Sequence, residues 1–265
     1  NATMVNAEIF NRMISKTAFA VSTDVNRAVL TGVCWKIMEK TNLMAATDGR
    51  KVAEIIVPNS PPAAKDDAEA KDENTIFQDA HEDQIMEKVI PVKTLNFLQK
   101  IHDTSIKEMK IMMERNKIVF AYGDYTIVAN IIEHKYPEYQ KAFMSDLPNQ
   151  IIVEKNSLQT SIRRVSLVAP DDNNRIRFEI DPEHFEINTT NRDTGDAKEN
   201  VEKYEYTGKG TSISFNFRYM LSILDAIDTD KVCIKLGGSK EPMMIYNEPQ
   251  SENQKITYLL MPLRS

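Results

Sequence analysis

The sequence predicts an α+β fold: one unit, two helices packed on antiparallel sheet, occurs twice in tandem. Three observations lead there. Apolar residues recur at helical spacing in four short stretches, and strand-length apolar runs surround each stretch. The two halves also answer each other. Val92-Lys93-x-Leu95-x-x-Leu98 matches Phe217-Arg218-x-Met220-x-x-Ile223 at an offset of 125 residues, and Ile118-Val119-Phe120 matches Met243-Met244-Ile245 at the same offset. Such self-similarity argues for two copies of one supersecondary unit, each burying its own core. A chain of 265 residues has room for roughly two domains, and 42% hydrophobic with 27% charged residues is an ordinary globular balance.

The elements follow in order. NAEIFNRMISKTAFAV reads as a helix with Ile9, Phe10, Met13, Ile14 and Val21 on one face, Asn11, Arg12, Ser15 and Lys16 on the other, and Asn6 as cap. LTGVCWKIM, LMAATD and KVAEIIV read as strands, and PVKTLNFLQKIHD as a second helix with Val92, Leu95, Leu98 and Ile101 inward. KEMKIMMER, KIVFAYG and YTIVANII complete the first unit as strands. The second unit repeats the order with helix NSLQTSIRRVSLVA, capped by Ser157, then strands RIRFEI, HFEINTTN and ENVEKYEYTG. Helix NFRYMLSILDAI and strands KVCIKL, EPMMIYN and KITYLLMPL close it. Predicted boundaries are 1–136 for the first unit, 137–149 for a linker and 150–265 for the second unit.

Between Leu43 and Val57 the chain reads LMAATDGRKVAEIIV. Asp-Gly between apolar runs predicts a two-residue hairpin turn with positive φ at both central residues. Asp48 then serves the bend, since Asp tolerates these dihedrals and bonds its own backbone.

Net charge is -6, but the charge is uneven. Nine acidic and two basic residues lie between Lys65 and Glu87, leaving the remainder at +1, so acidity does not exclude a nucleic-acid partner. PNSPPAAKDDAEAKDEN, within an insertion spanning about 58–88, lacks hydrophobic periodicity and reads as a mobile surface loop. Cys34 and Cys233 sit inside apolar strands and read as buried reduced thiols. No apolar run reaches the roughly 20 residues of a membrane span, and the first residues lack the pattern of a secretion signal. The expectation is a cytoplasmic protein.

Catalytic signatures are missing. Neither a Gly-rich phosphate loop nor a GxSxG elbow occurs, and His81, His102, His134 and His184 are scattered. Asp48 and Asp193 have no nucleophile or metal set beside them. The reading is a protein without catalysis, cofactor or metal.

Five stretches together, LTGVCWKI, LMAATDGRKVA, KYPEYQKAF, SFNFRYMLSIL and the terminal YLLMPLRS, resemble the bacterial DNA polymerase III β sliding clamp family, in the family's order and over essentially the whole chain. That family is built from three copies of the DNA-clamp module, and two chains close head to tail into a ring around duplex DNA. The resemblance covers the second and third copies only. It implies a piece of a longer clamp, with Asn1-Ala2 read as a cloning remnant. The implied function is to confer processivity on a replicative DNA polymerase and to dock partner proteins by short linear peptides, typically Gln followed by Leu and Phe-type anchors. The alternative is a peptide-binding adaptor that does not encircle DNA.

The resemblance also implies sites. The partner-peptide pocket would use Leu30, Thr47, Gly49, Arg50, Lys51 and Val52 of the middle module. It would add Pro137, Lys141 and Ala142 of the linker, and Asn216, Tyr219, Leu259, Met261, Pro262 and Leu263 of the last module. Leu30, Val52, Leu259 and Leu263 would receive apolar anchors, Asn216 and Tyr219 would offer polar handles, and Arg50, Lys51 and Lys141 would meet carboxylates. The turn departs from the family's Asp-Gly-His-Arg-Leu, and an aromatic expected near Asn173 is absent. DNA-facing cations would be Arg12, Lys16, Arg27, Lys93, Arg163, Arg164 and Arg218, the alternative for each being an ordinary solvated surface position. Leu167 and Val168 would form the ring interface, the alternative being ordinary core packing at a helix end. Implied partners are nonspecifically encircled double-stranded DNA, the polymerase, the clamp loader and repair proteins, with a homodimeric ring when the chain is full length.

Overall fold

A computed structural model describes residues 2–59 and 84–264. The chain divides into two compact units, Asn1–Glu138 with Glu252–Ile256, and Tyr139–Ser251 with Thr257–Ser265. Most of the predicted acidic insertion lies outside the described residues.

The first unit runs β1 (Ala2–Asn6), α1 (Ala7–Thr17), β2 (Gly32–Met38), β3 (Thr41–Thr47), β4 (Lys51–Pro58), β5 (Gln84–Pro91), α2 (Val92–Lys100), β6 (Glu108–Met113), β7 (Lys117–Tyr122) and β8 (Tyr125–Asn130). Its two antiparallel sheets have the orders β1-β6-β7-β8 and β4-β3-β2-β5. The second unit runs β9 (Asn149–Glu154), α3 (Lys155–Ser166), β10 (Arg175–Ile180), β11 (Phe185–Asn191), β12 (Gly195–Asn200), β13 (Tyr204–Thr207), β14 (Thr211–Asn216), α4 (Phe217–Ala226), β15 (Lys231–Leu236), β16 (Met243–Glu248) and β17 (Lys255–Leu260). Its sheets have the orders β12-β11-β10-β14 and β13-β9-β15-β16-β17.

The repeat survives in three dimensions. β1, β6, β7 and β8 correspond in order and pairing to β9, β15, β16 and β17, and the other four-stranded sheets correspond likewise, with β13 added on the edge of β9. In each unit the two helices pack on each other. The matched positions carry the same burial: Leu95 and Leu98 of α2 are inward, as are Met220 and Ile223 of α4. Ile118 and Phe120 on β7 are buried, as are Met243 and Ile245 on β16.

Aromatic residues form the centre of each core. In the first unit Phe10 meets Trp35 edge-on at 5.2 Å and Phe120 at 6.0 Å. In the second, Phe178 meets Phe215 at 4.5 Å and Phe185 at 5.1 Å, both edge-on. Each such pair adds about 0.5–1.5 kcal/mol beyond the area it buries. Cys34 and Cys233 are free buried thiols; burial raises their pKa to about 12 and about 11.

Several expectations are corrected. The first helix gives way to a 3-10 turn at Ala18–Ala20, and Ile9, expected inside, is 36% exposed. Asn6 does cap α1, its side chain accepting from the Ile9 N–H at 2.9 Å. The cap expected at Ser157 falls inside α3, which begins at Lys155 with Glu154 in the cap position and no side-chain cap bond. The predicted strand ENVEKYEYTG is two strands, β12 and β13, which pair with β11 and β9 respectively. Gln84–Pro91, partly assigned to the insertion, is a strand that pairs with β2. No helix of the described residues is long and apolar enough to cross a membrane.

Candidate docking and nucleic-acid surfaces

The β3–β4 hairpin is built around Asp48. One carboxylate oxygen accepts from the Arg50 N–H at 2.8 Å and the Lys51 N–H at 2.9 Å, and the other pairs with the Lys51 ammonium at 2.6 Å. The Thr47 hydroxyl donates to the Lys51 carbonyl at 2.7 Å and accepts from the Gly49 N–H at 2.9 Å. Asp48 therefore organises the bend, by the side-chain-to-backbone bonding typical of Asp in turns. The expected two-residue turn is not what forms. Strand pairing closes at Thr47↔Val52, and of the loop residues only Gly49 has a positive φ, +86°. The bonds made by Asp48 stabilise a longer loop than the Asp-Gly rule provides.

Two distant residues brace this loop. Arg27, in the 3-10 segment Val25–Thr31, donates from Nη1 to the Asp48 carbonyl at 2.6 Å. Tyr136 is 3% exposed, and its hydroxyl accepts from the Thr47 N–H at 3.0 Å. Burial raises the Tyr136 pKa, so the phenol keeps its proton. Arg27 is expected from the resemblance to face DNA, and Tyr136 occurs only within the stretch KYPEYQKAF; sequence spacing of 21 and 89 residues carries no signal for either bond.

Among the pocket residues of the first unit, Leu30, Thr47, Lys51 and Val52 are 4–6% exposed, while Gly49, Arg50 and Pro137 are exposed. The hairpin thus presents Gly49 and Arg50, and Lys51 is committed to Asp48. In the second unit, Lys141 is exposed and Ala142 half-buried in a 3-10 turn that opens the unit. Asn216 was expected as a polar handle for a ligand. Its side chain instead caps α4, accepting from the Arg218 and Tyr219 N–H groups at 2.9 and 3.3 Å and donating to the Asn173 carbonyl at 3.2 Å. Leu259 is 1% exposed and belongs to the core. The tail offers Met261, 38% exposed, and half-buried Pro262 and Leu263. The tail is pinned by the Leu263 N–H, which donates to the Ser214 carbonyl of β14 at 2.7 Å.

The cations assigned to DNA divide. Lys93 is exposed on α2, whereas Lys16 is 6% exposed and does not stand on a solvated helix face. Arg163 and Arg164 are exposed but paired, with Asp225 at 3.7 Å and Glu199 at 2.8 Å. Arg218 donates to the Asn174 side chain at 2.6 Å and lies over the Phe217 ring at 5.6 Å. Arg12 donates to the Gln254 side chain at 2.7 Å. Leu167, after the end of α3, is 83% exposed, and Val168 is half-buried; Leu167 is no part of a core. Among the described residues no group of three or more His, Cys, Asp or Glu side chains converges as a metal site.

Comparison with known proteins gives the same pattern. Residues 4–69 and 73–138 match the family described as DNA polymerase III beta subunit, central domain, and residues 141–264 match DNA polymerase III beta subunit, C-terminal domain. The chain is 28% identical over 266 residues to the beta sliding clamps of Staphylococcus epidermidis and Staphylococcus aureus. It is covered in full and spans 64% of the length of those curated relatives. The solved sliding clamp of Bacillus subtilis superposes with a TM-score of 0.83 at 26% identity, covering all of this chain and 64% of that one. The beta subunit of Streptococcus pyogenes gives 0.86 at 20% identity, covering all of this chain and 66% of that one, and shares the fold. Two α+β units of matching topology, each aligned in turn with a successive domain of one protein, place the chain in the DNA polymerase III beta subunit family.

Proposed function

We propose that the chain supplies the central and C-terminal modules of a DNA sliding clamp. In that role the intact protein encircles duplex DNA, tethers the replicative polymerase and docks partner proteins by short peptides. The observation that carries this reading is the repeated module, matched domain by domain to one family over nearly the whole chain. The function needs no catalytic group. What it requires is a closed scaffold, cationic side chains for nonspecific phosphate contact and a surface for peptide anchors.

On the second unit, partner peptides are proposed to contact the turn at Lys141 and Ala142 and the tail at Met261, Pro262 and Leu263; on the first unit the proposed docking residues are Gly49 and Arg50 of the hairpin. Two apolar anchors contribute about 1.5–3 kcal/mol each before ordering costs, so the anchors alone set affinity no tighter than roughly tens of micromolar, and polar contacts supply any further gain. The test is calorimetric titration of this chain with a peptide bearing Gln, Leu and Phe anchors. Removing residues 261–265 should weaken binding at least about tenfold with the unfolding midpoint nearly unchanged, because the tail contributes one described backbone bond. Equal affinity with and without the tail would reject the assignment. Leu30→Asp is a poor test of docking, because Leu30 is buried and a carboxylate there disrupts the fold.

A second reading, a peptide-docking adaptor without DNA encirclement, draws on the cations. Arg12, Arg27, Arg163, Arg164 and Arg218 already have bonds within the chain, and Lys16 is buried. The exposed ion pairs of Arg163 and Arg164 are worth little and exchange readily for phosphate, and Lys93 is exposed, so the clamp reading is preferred.

A further inference from the structure

In the second unit, the sheet β12-β11-β10-β14 turns Ile176, Phe178, Ile187, Ile213 and Phe215 inward, and α3 packs against its strands. The opposite face carries a polar cleft of about 240 Å³ lined by Arg175, Arg177, Asn188, Thr190 and Ser214. Two of these side chains are occupied. Arg177 pairs with Glu179 at 3.1 Å and donates to the Ser212 hydroxyl at 2.9 Å, and Asn188 donates to Glu186 at 2.8 Å. The Arg175 guanidinium is different. It is half-buried, and among the described residues no carboxylate pairs with it, whereas its backbone is fixed on both sides. Its N–H donates to the Asn173 side chain at 3.0 Å, and its carbonyl accepts from the Thr189 hydroxyl at 2.7 Å. The Thr190 and Ser214 hydroxyls beside it have no described partner either. A guanidinium carried on a fixed stretch of backbone, with two hydroxyls lining the same cleft, is a donor set matched to a carboxylate.

The cleft adjoins residues already assigned to peptide docking. Ser214, which lines the cleft, stands opposite Arg177 in the β10–β14 register, and its carbonyl holds the N–H of Leu263 in the tail. We propose that this cleft is a carboxylate-reading subsite, in which Arg175 engages an acidic side chain flanking the anchors of a docked partner peptide. The proposal rests on the peptide-docking reading and names the chemistry that would select among partners. Duplex DNA is the poorer occupant. A polyanion needs several unpaired cations, and here a single one shares its face with Glu179 and Glu186, which stand opposite each other in the β10–β11 register four residues along β10 from it.

The test uses this chain and a peptide bearing the Gln, Leu and Phe anchors, extended at either end by two glutamates or by two glutamines, titrated by fluorescence anisotropy. One glutamate extension should bind about three- to tenfold tighter than its glutamine counterpart. Arg175→Gln should abolish that gain while leaving the affinity of the unextended peptide unchanged, and Arg175→Lys should restore part of it. A glutamate gain that persists in Arg175→Gln, or no gain at either end, overturns the subsite while peptide docking stands. Failure of the unextended peptide to bind the wild-type chain overturns the docking reading and the subsite with it. Weakened duplex binding in Arg175→Gln with unchanged peptide discrimination assigns the cleft to DNA and also overturns the proposal.

Discussion

At Gly49 a φ of +86° coincides with a close approach: a Cβ built there would meet Arg27 Nη2 at 2.8 Å. Gly49→Ala therefore meets backbone strain and also displaces the guanidinium that braces the Asp48 carbonyl. We expect a loss of about 1–3 kcal/mol, read from urea unfolding, and unchanged stability would contradict the hairpin geometry described above. The residue scale also shows what a sequence can carry. Asp48 as a turn-former was legible from the Asp-Gly pair. The loop length was not, because it is decided by the side chains of Thr47 and Asp48 and by braces from Arg27 and Tyr136. Asn216 was legible as a special position through the stretch SFNFRYMLSIL, but its work is to cap α4.

Among elements, the four strands that went unread are β1, β5, β9 and β14, and they share one property. Each runs directly into a helix with no intervening residue, at Asn6-Ala7, Pro91-Val92, Glu154-Lys155 and Asn216-Phe217. Turn residues are the punctuation by which strands are delimited in sequence, and here the helix cap itself serves as the boundary. The junction was legible as a helix start and silent about the strand before it. The β11–β12 pair supports a pH prediction. The Asn188 amide and the Lys198 ammonium bond the Glu186 carboxylate, at 2.8 and 3.3 Å, and hold its pKa below the ordinary glutamate value. A lowered folded pKa contributes stability above the unfolded value of about 4.3, and that contribution is lost as pH falls through the folded value. Glu186→Gln should thus lower stability at neutral pH and flatten its decline in acid, measured as the unfolding midpoint from pH 7 to pH 3. An identical pH profile in the variant would contradict this role for Glu186.

For the whole molecule, the internal repeat was the most legible feature, because burial of a shared core constrains spacing in both copies. The matched pairs Leu95/Met220 and Leu98/Ile223 are all inward at the 125-residue offset. Chemical identity drifts between the copies while burial is kept, as expected when a packed core tolerates volume-conserving change. The assigned surface residues were less legible. Lys16 is buried, Lys51 is committed to Asp48, and Arg163 and Arg164 are paired, since exposure and pairing depend on neighbours far apart in sequence. The clamp account is tested most directly by topology. The full-length protein, loaded on nicked circular duplex and isolated by gel filtration at moderate salt, should stay with the circle. It should be released when a restriction enzyme linearises the DNA. Equal retention on circular and linear duplex, or retention on neither, would contradict encirclement.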